Sequence, residues 1–253
     1  MLLSIKYNIM REMTNHVTFL MNVLFMVLNN ATFIIQWLLI FHLRSDIGGY
    51  AFSDILVLWG LAASIFGLSH IFFNRVYQLP DLIMNGKLDS FLVQPKNVLL
   101  SVISSSTSTS AIGDFTYGYI IILIFKFSLM NLLLFTLMAF LGAIMLTAFA
   151  VILGSISFWI VRGDMLSHNL YSAVLHFSTY PDGIFKGFVR LFLYTIVPVG
   201  LITYMPLRVI LDFNLPTLFI VLGFTIIFVV LAFVIFYRGL RRYSSGNLMI
   251  ARI

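Results

Sequence analysis

The sequence predicts an all-α, polytopic membrane protein with six transmembrane helices. Apolar residues make up 61% of the 253-residue chain, charged residues make up only 9%, and the mean hydropathy is +1.05. An apolar helix of about 20 residues spans about 30 Å of hydrocarbon, in which every backbone N–H and C=O must be paired within the protein. The apolar runs are continuous and lack the alternation of barrel strands, so the spans are expected to be helices.

The individual elements follow from the charges that separate the apolar runs. Residues 1–16 predict an interfacial helix, because Lys6, Arg11 and Glu12 lie there among apolar side chains. The first apolar run is too long for a signal peptide and is expected to remain as an uncleaved span. Basic residues from Arg238 onward end the last span and begin a tail over 238–253. The predicted spans outside the ambiguous region are 17–43, 54–73, 105–125, 131–160 and 215–237.

The region between Arg162 and Asp212 allows two topologies. One places span five at 165–181 and makes 184–212 a re-entrant pair of short helices. The other makes 162–186 cytoplasmic and places span five at 188–206, which is the more apolar segment. Hydropathy alone favours the second topology.

The distribution of basic residues predicts the orientation. With six spans, ten Lys and Arg residues share the side of both termini, and five or three lie on the other side, depending on the topology. The positive-inside rule therefore predicts cytoplasmic termini. The net charge of +6 is accordingly attributed to contact with anionic lipid and not to nucleic acid binding. The absence of cysteine excludes thiol and thiolate–metal chemistry, and the five histidines show no metal-ligand spacing.

The polar stretch from Asn74 to Asn97 is the candidate interaction segment. Pro80 can open a short helix there, with Asp81 beside its positive end, and Gly86 can close it. The apolar residues of this helix would then be available to bind a partner protein. They are Leu79, Leu82, Ile83 and Leu88. The alternative is an ordinary loop.

Five stretches in order carry a family resemblance: MNGKLDSFLVQPKNVL, SAIGDFTYGY, SFWIVRGDML, FSTYPDGIFKGFVRLFLYTIVPVGLITYMPLRVIL and YRGLRRYSSG. Over about 70–245 the chain resembles the membrane-spanning permease subunits of type-2 ABC exporters, in the bacterial branch that has six spans and no fused ATPase. The resemblance implies one transmembrane permease domain over 1–253, located in the bacterial cytoplasmic membrane. It also implies the re-entrant topology over 184–212, against the hydropathy preference.

The same resemblance implies partners and site residues. Two such permeases, identical or paired with a sister permease, would form the translocation path by alternating access, and two separate ATPase subunits would bind below. ATP and Mg²⁺ would be held by those subunits, because this chain has no G-x-x-x-x-G-K-[ST] phosphate loop and no cofactor is expected on it. The implied coupling helix comprises Leu79, Pro80, Asp81, Leu82, Ile83, Gly86, Lys87, Leu88 and Asp89.

Polar residues inside the spans are the remaining candidates, because they are costly in hydrocarbon. Asn15, Asn22, Asn29 and Gln36 recur every seven residues, which places them on one face of the first span. They either join helices by hydrogen bonds or line the translocation path at the seam between two permeases. Asp114 is either a structural carboxyl or a cation or proton site, and the latter leaves an ion-coupled secondary transporter or channel as the alternative function. A non-transport membrane subunit is the third class.

Overall fold

The computed structural model describes residues 2–44 and 46–244, and within them the chain is a bundle of α-helices. The only β-type pairing in that part of the chain is an isolated bridge between Ile47 and Tyr50. The helices are α1 (Leu2–Glu12), α2 (His16–Leu43), α3 (Phe52–Phe73), α4 (Leu79–Met84), α5 (Asp89–Leu92), α6 (Val98–Ile103), α7 (Ala111–Phe125), α8 (Leu129–Ser155), α9 (Gly163–Phe177), α10 (Gly187–Thr195), α11 (Met205–Leu211) and α12 (Leu215–Leu240).

Several helix ends are fixed by local sequence. The side chains of Asn15, Asn97 and Asn214 each accept a hydrogen bond from the backbone N–H three residues later and cap α2, α6 and α12. Pro80 lies in the first turn of α4, where its missing N–H costs nothing. Gly86 has a φ of 67° and turns the chain after α4, as the sequence predicted.

Helix α8 forms the centre of the bundle and packs against α3, α9, α11 and α12. Helices α3 and α7 cross closely because small residues meet at the contact. A Cβ on Gly118 would lie 2.0 Å from Ser64 Oγ and 2.3 Å from the carbonyl oxygen of Gly60. The small residues Gly60, Ser64 and Gly118 therefore permit the close packing of the two helices.

By length and composition, four helical segments within residues 2–44 and 46–244 could cross a membrane: His16–Leu43, Phe52–Met84, Leu129–Phe158 and Leu215–Leu240. A fifth crossing would follow if the bent pair Gly187–Thr195 and Gly200–Leu211 counted as one span. The protein is thus an all-α polytopic membrane protein, as predicted. The third predicted span is shorter than 105–125, because the hydroxyl-rich residues 104–110 form a break between α6 and α7.

The contacts of Asp182 show at which end of the bundle the chain around α10 and α11 lies. Gly163, at the start of α9, packs on Ser157 at one end of the bundle. Beyond the other end of α9, Asp182 accepts a hydrogen bond from Tyr50 Oη. Asp182 also contacts Arg208 on α11, so the chain on both sides of the bent α10–α11 pair, which turns by 78°, lies at the same end of the bundle. The bent pair fits the predicted re-entrant segment and equally a broken span, so the topology between Arg162 and Asp212 stays a prediction.

Candidate functional site

The segment 74–97 forms the first candidate region, at the end of the bundle that also holds the start of α9. Its apolar side chains do not face outward. Leu79, Leu82, Ile83 and Leu88 are all buried in a cluster with α6, α8 and α12. The expectation that they are available to a partner is wrong, because these side chains instead anchor the segment to the bundle by burying their own apolar surface.

What this segment exposes is a different set of side chains. Asp81 and Lys87 are exposed, Pro80 is buried, and Gly86 lies at the turn. At the far end of the segment Leu92 is 39% and Val93 84% exposed. We call the surface of Asp81, Lys87, Leu92 and Val93 the inner loop surface.

Asp89 connects the segment 74–97 to the start of the predicted tail. The carboxylate accepts a hydrogen bond from Tyr243 Oη at 2.9 Å. Burial and the adjacent carboxylate raise the pKa of Tyr243, so its hydroxyl stays protonated and keeps donating at neutral pH. Residues 245–253 of the predicted tail lie outside the described residues.

Helix α2 shows which of its polar residues face the bundle. Only Asn30 and Trp37 are buried along its length, whereas Asn22, Asn29 and Gln36 are exposed. The structure therefore does not bring the heptad amides together with Asp114, and the inward-facing amide is Asn30. The exposed amides remain candidates for contact with a second subunit.

Asp114, Asn30 and Trp59 form a buried chain of hydrogen bonds between α7, α2 and α3. Asn30 Nδ2 donates to Asp114 Oδ1 at 2.7 Å, and Trp59 Nε1 donates to Asn30 Oδ1 at 3.2 Å. The indole N–H can only donate, so it fixes the orientation of the amide with its NH₂ group toward the carboxylate. Asp114 Oδ2 is buried and has no hydrogen-bond partner within the described part of the chain.

These three residues line a cavity of about 160 Å³. Its walls come from α2, α3, α7, α8, α9 and the π-helical turn Gly200–Tyr204. Most of the lining is apolar, but Ser178 and Thr203 also contribute hydroxyl groups, which lie 3.0 Å apart. A largely apolar pocket with a few convergent polar groups is a candidate binding site.

A second polar cluster, centred on Asp182, lies at the end of the bundle opposite the segment 74–97. This carboxylate is only 3% exposed. It accepts hydrogen bonds from Tyr50 Oη at 2.6 Å and from the Arg208 guanidinium, and Tyr194 Oη lies 3.4 Å away. Arg190 approaches to 3.9 Å. The cluster joins the loop before α3 to both α10 and α11.

Sequence reasoning missed both Asn30 and the Asp182 cluster. Asn30 stands next to Asn29 in the middle of an apolar span, and that position was itself a signal, since an unpartnered amide there is costly. The heptad spacing directed attention to a different face of the helix. No group of three or more His, Cys, Asp or Glu residues with metal-binding geometry occurs among residues 2–44 and 46–244.

The geometry defines an integral membrane protein built around a helical bundle. The profile of one family, described as ABC-2 family transporter protein, matches residues 27–246. The chain therefore belongs to the ABC-2 transporter family, as the sequence motifs predicted. Neither the curated proteins nor the solved structures include a significant match.

Proposed function

We propose that this chain is the permease subunit of an ATP-driven exporter, coupled to separate ATPase subunits and moving its substrate by alternating access. The observation that carries the proposal is the family match over 27–246. The sequence contains no phosphate-loop motif, which supports ATP and Mg²⁺ binding on a partner chain. Differential binding of ATP to the partner would supply the energy that shifts the permease between states.

The proposed topology has six crossings, formed by α2, α3, α7, α8, α9 and α12. Helices α7 and α9 have 15 residues each, or about 22 Å at 1.5 Å per residue, and the flanking chain would complete the crossing. The re-entrant segment puts Lys186, Arg190 and Arg208 on the side opposite the termini. Ten basic residues on the terminal side still outnumber five on the other, which supports cytoplasmic termini in a bacterial cytoplasmic membrane.

The inner loop surface is the proposed docking site for the ATPase. Leu92 and Val93 are exposed apolar side chains on a loop at the terminal side of the bundle, and Asp81 and Lys87 supply charge beside them. Such an apolar anchor with a polar rim is typical of protein interfaces. The buried residues Leu79, Leu82 and Ile83 would hold the coupling segment rigid, so that motion of the ATPase reaches α8 and α12.

A second permease is the proposed partner of α2. The exposed face of this helix carries Asn22, Asn29 and Gln36, and amides that face lipid leave their hydrogen bonds unmade. Contact with a second copy or a sister permease would pair them. The translocation path would then run along this seam.

The first test is ATP hydrolysis. The purified chain alone should show no ATPase activity, and the complex purified with its ATPase should hydrolyse ATP. Activity in the rigorously purified single chain would contradict the proposal. Substrate flux that follows an ion gradient without ATP would instead support the ion-coupled alternative based on Asp114.

The second test separates docking from folding. Val93→Asp should reduce ATPase co-purification at least tenfold while the permease keeps its unfolding midpoint. Val93 is exposed in the permease, so the new carboxylate stays in contact with water there and loses it only when the ATPase binds. Leu82→Asp should destabilise the permease itself, because Leu82 is 3% exposed. The exposed Val161, at the same end of the bundle, provides the matched control in Val161→Asp. Equal loss of the ATPase with Val161→Asp would contradict the assignment of the docking surface.

A further inference from the structure

The cavity beside Asp114 contains one buried carboxylate oxygen that has no hydrogen-bond partner among the described residues. The carboxylate is 3% exposed, and only one of its oxygens is hydrogen-bonded, to Asn30. Within the described residues no lysine or arginine forms an ion pair with Asp114. A buried carboxylate oxygen without a hydrogen bond is costly in a low-dielectric interior, and a proton or a hydrogen-bond donor, above all a charged one, would remove that cost.

The surroundings of the cavity favour a cationic partner with N–H donors. No group among the described residues is hydrogen-bonded to Oδ2, so an incoming N–H donor would meet an unoccupied acceptor. A primary ammonium group would donate an N–H to Oδ2, and the hydroxyl oxygens of Ser178 and Thr203 line the same cavity as further acceptors. The indole of Trp59 also lines the cavity and provides the aromatic surface that cations prefer.

The size of the cavity limits the ligand. A cavity of about 150 Å³ holds a molecule the size of benzene, and the volume here is about 160 Å³. It therefore accommodates an ammonium group with a few carbons. A longer apolar tail would have to extend beyond it.

We infer that this cavity is a binding site for a primary ammonium group, with Asp114 as its counter-ion and Asn30 as the residue that positions the carboxylate. Resting on the proposed function, the inference assigns the exporter to substrates with an amine head and an apolar body. Binding is measured on the permease without its ATPase, so failure of this inference leaves the ATPase tests untouched, and the reverse also holds.

The test uses the full chain in lipid nanodiscs with Trp37→Phe and Trp159→Phe, so that Trp59 is the single indole. We expect n-butylammonium to change the Trp59 fluorescence saturably and to bind at least tenfold more tightly than 1-butanol, which has the same carbon chain without the charge. Asp114→Asn preserves the shape of the side chain and should weaken n-butylammonium binding at least tenfold. The exposed Asp212 supplies the control, and Asp212→Asn should leave binding within twofold.

Two results would overturn the inference. Equal affinity for n-butylammonium and 1-butanol in the parent protein would show an apolar cavity with a neutral Asp114. Unchanged n-butylammonium binding in Asp114→Asn would place the cation elsewhere. The first comparison needs no substitution at Asp114, so it remains decisive even where that variant folds poorly.

Discussion

The hydrogen bond between Tyr50 and Asp182 is predicted to hold the segment before α10 against the loop before α3. The two residues are 132 positions apart, and the donor–acceptor distance is 2.6 Å. A hydrogen bond to a charged acceptor contributes roughly 1.5–3 kcal/mol to stability, so Tyr50→Phe should lower the free energy of unfolding by about that amount. The Arg208–Asp182 pair adds less, because the Arg208 side chain is 45% exposed and its charge is screened.

A double-mutant cycle measures this contact directly. Tyr50→Phe, Asp182→Ala and the double variant are unfolded by SDS titration in mixed micelles and followed by circular dichroism. In the Asp182→Ala background the Tyr50 hydroxyl has lost its acceptor, so its removal should cost close to nothing. The expected coupling free energy is roughly 1.5–3 kcal/mol.

The controls make the same chemical changes at exposed positions. Tyr7 is 64% exposed and Asp212 is also exposed, and substituting them by Phe and Ala should change stability by about 0.5 kcal/mol or less. Burial of the hydroxyl is the main cause that raises the pKa of Tyr50, and the nearby carboxylate of Asp182 raises it further. The hydroxyl therefore remains protonated at every pH below about 10, the ordinary pKa of tyrosine. The coupling should therefore be constant from pH 6 to about pH 9. Additive effects of the two substitutions would refute the reasoning.

Three further predictions concern topology and packing. A single cysteine at position 186 should react with a membrane-impermeant maleimide in intact cells and one at position 87 only after permeabilisation; equal behaviour would contradict the re-entrant topology. Gly118→Leu should cost roughly 1–3 kcal/mol by SDS titration, because it separates α3 from α7, whereas Gly223→Leu, which enters open space, should have little effect. Asn30→Leu should cost roughly 1–3 kcal/mol, because it leaves two buried polar groups unpaired; an unchanged unfolding midpoint would argue against the Asp114 network.

The sequence alone determined the class of protein and most of its segments. Continuous apolar runs can only be helices in hydrocarbon, so the fold class followed from composition. Pro80 and Gly86 marked the start and end of a short helix because each has a distinct backbone preference. The ordered motifs predicted the family, and within 188–206 the structure adds a bend of 78° between α10 and α11 that hydropathy does not reveal.

Only the tertiary structure decided which face of each helix meets the protein. In lipid an apolar side chain is equally stable against a neighbouring helix or an acyl chain, so apolar periodicity does not reveal the inward face. For this reason the sequence could not show that Leu82 is buried, or that Asn30 and not Asn29 reaches Asp114. The Asp182 cluster depends on contacts between distant segments, because a buried carboxylate is stable only where folding brings donors such as Tyr50 to it.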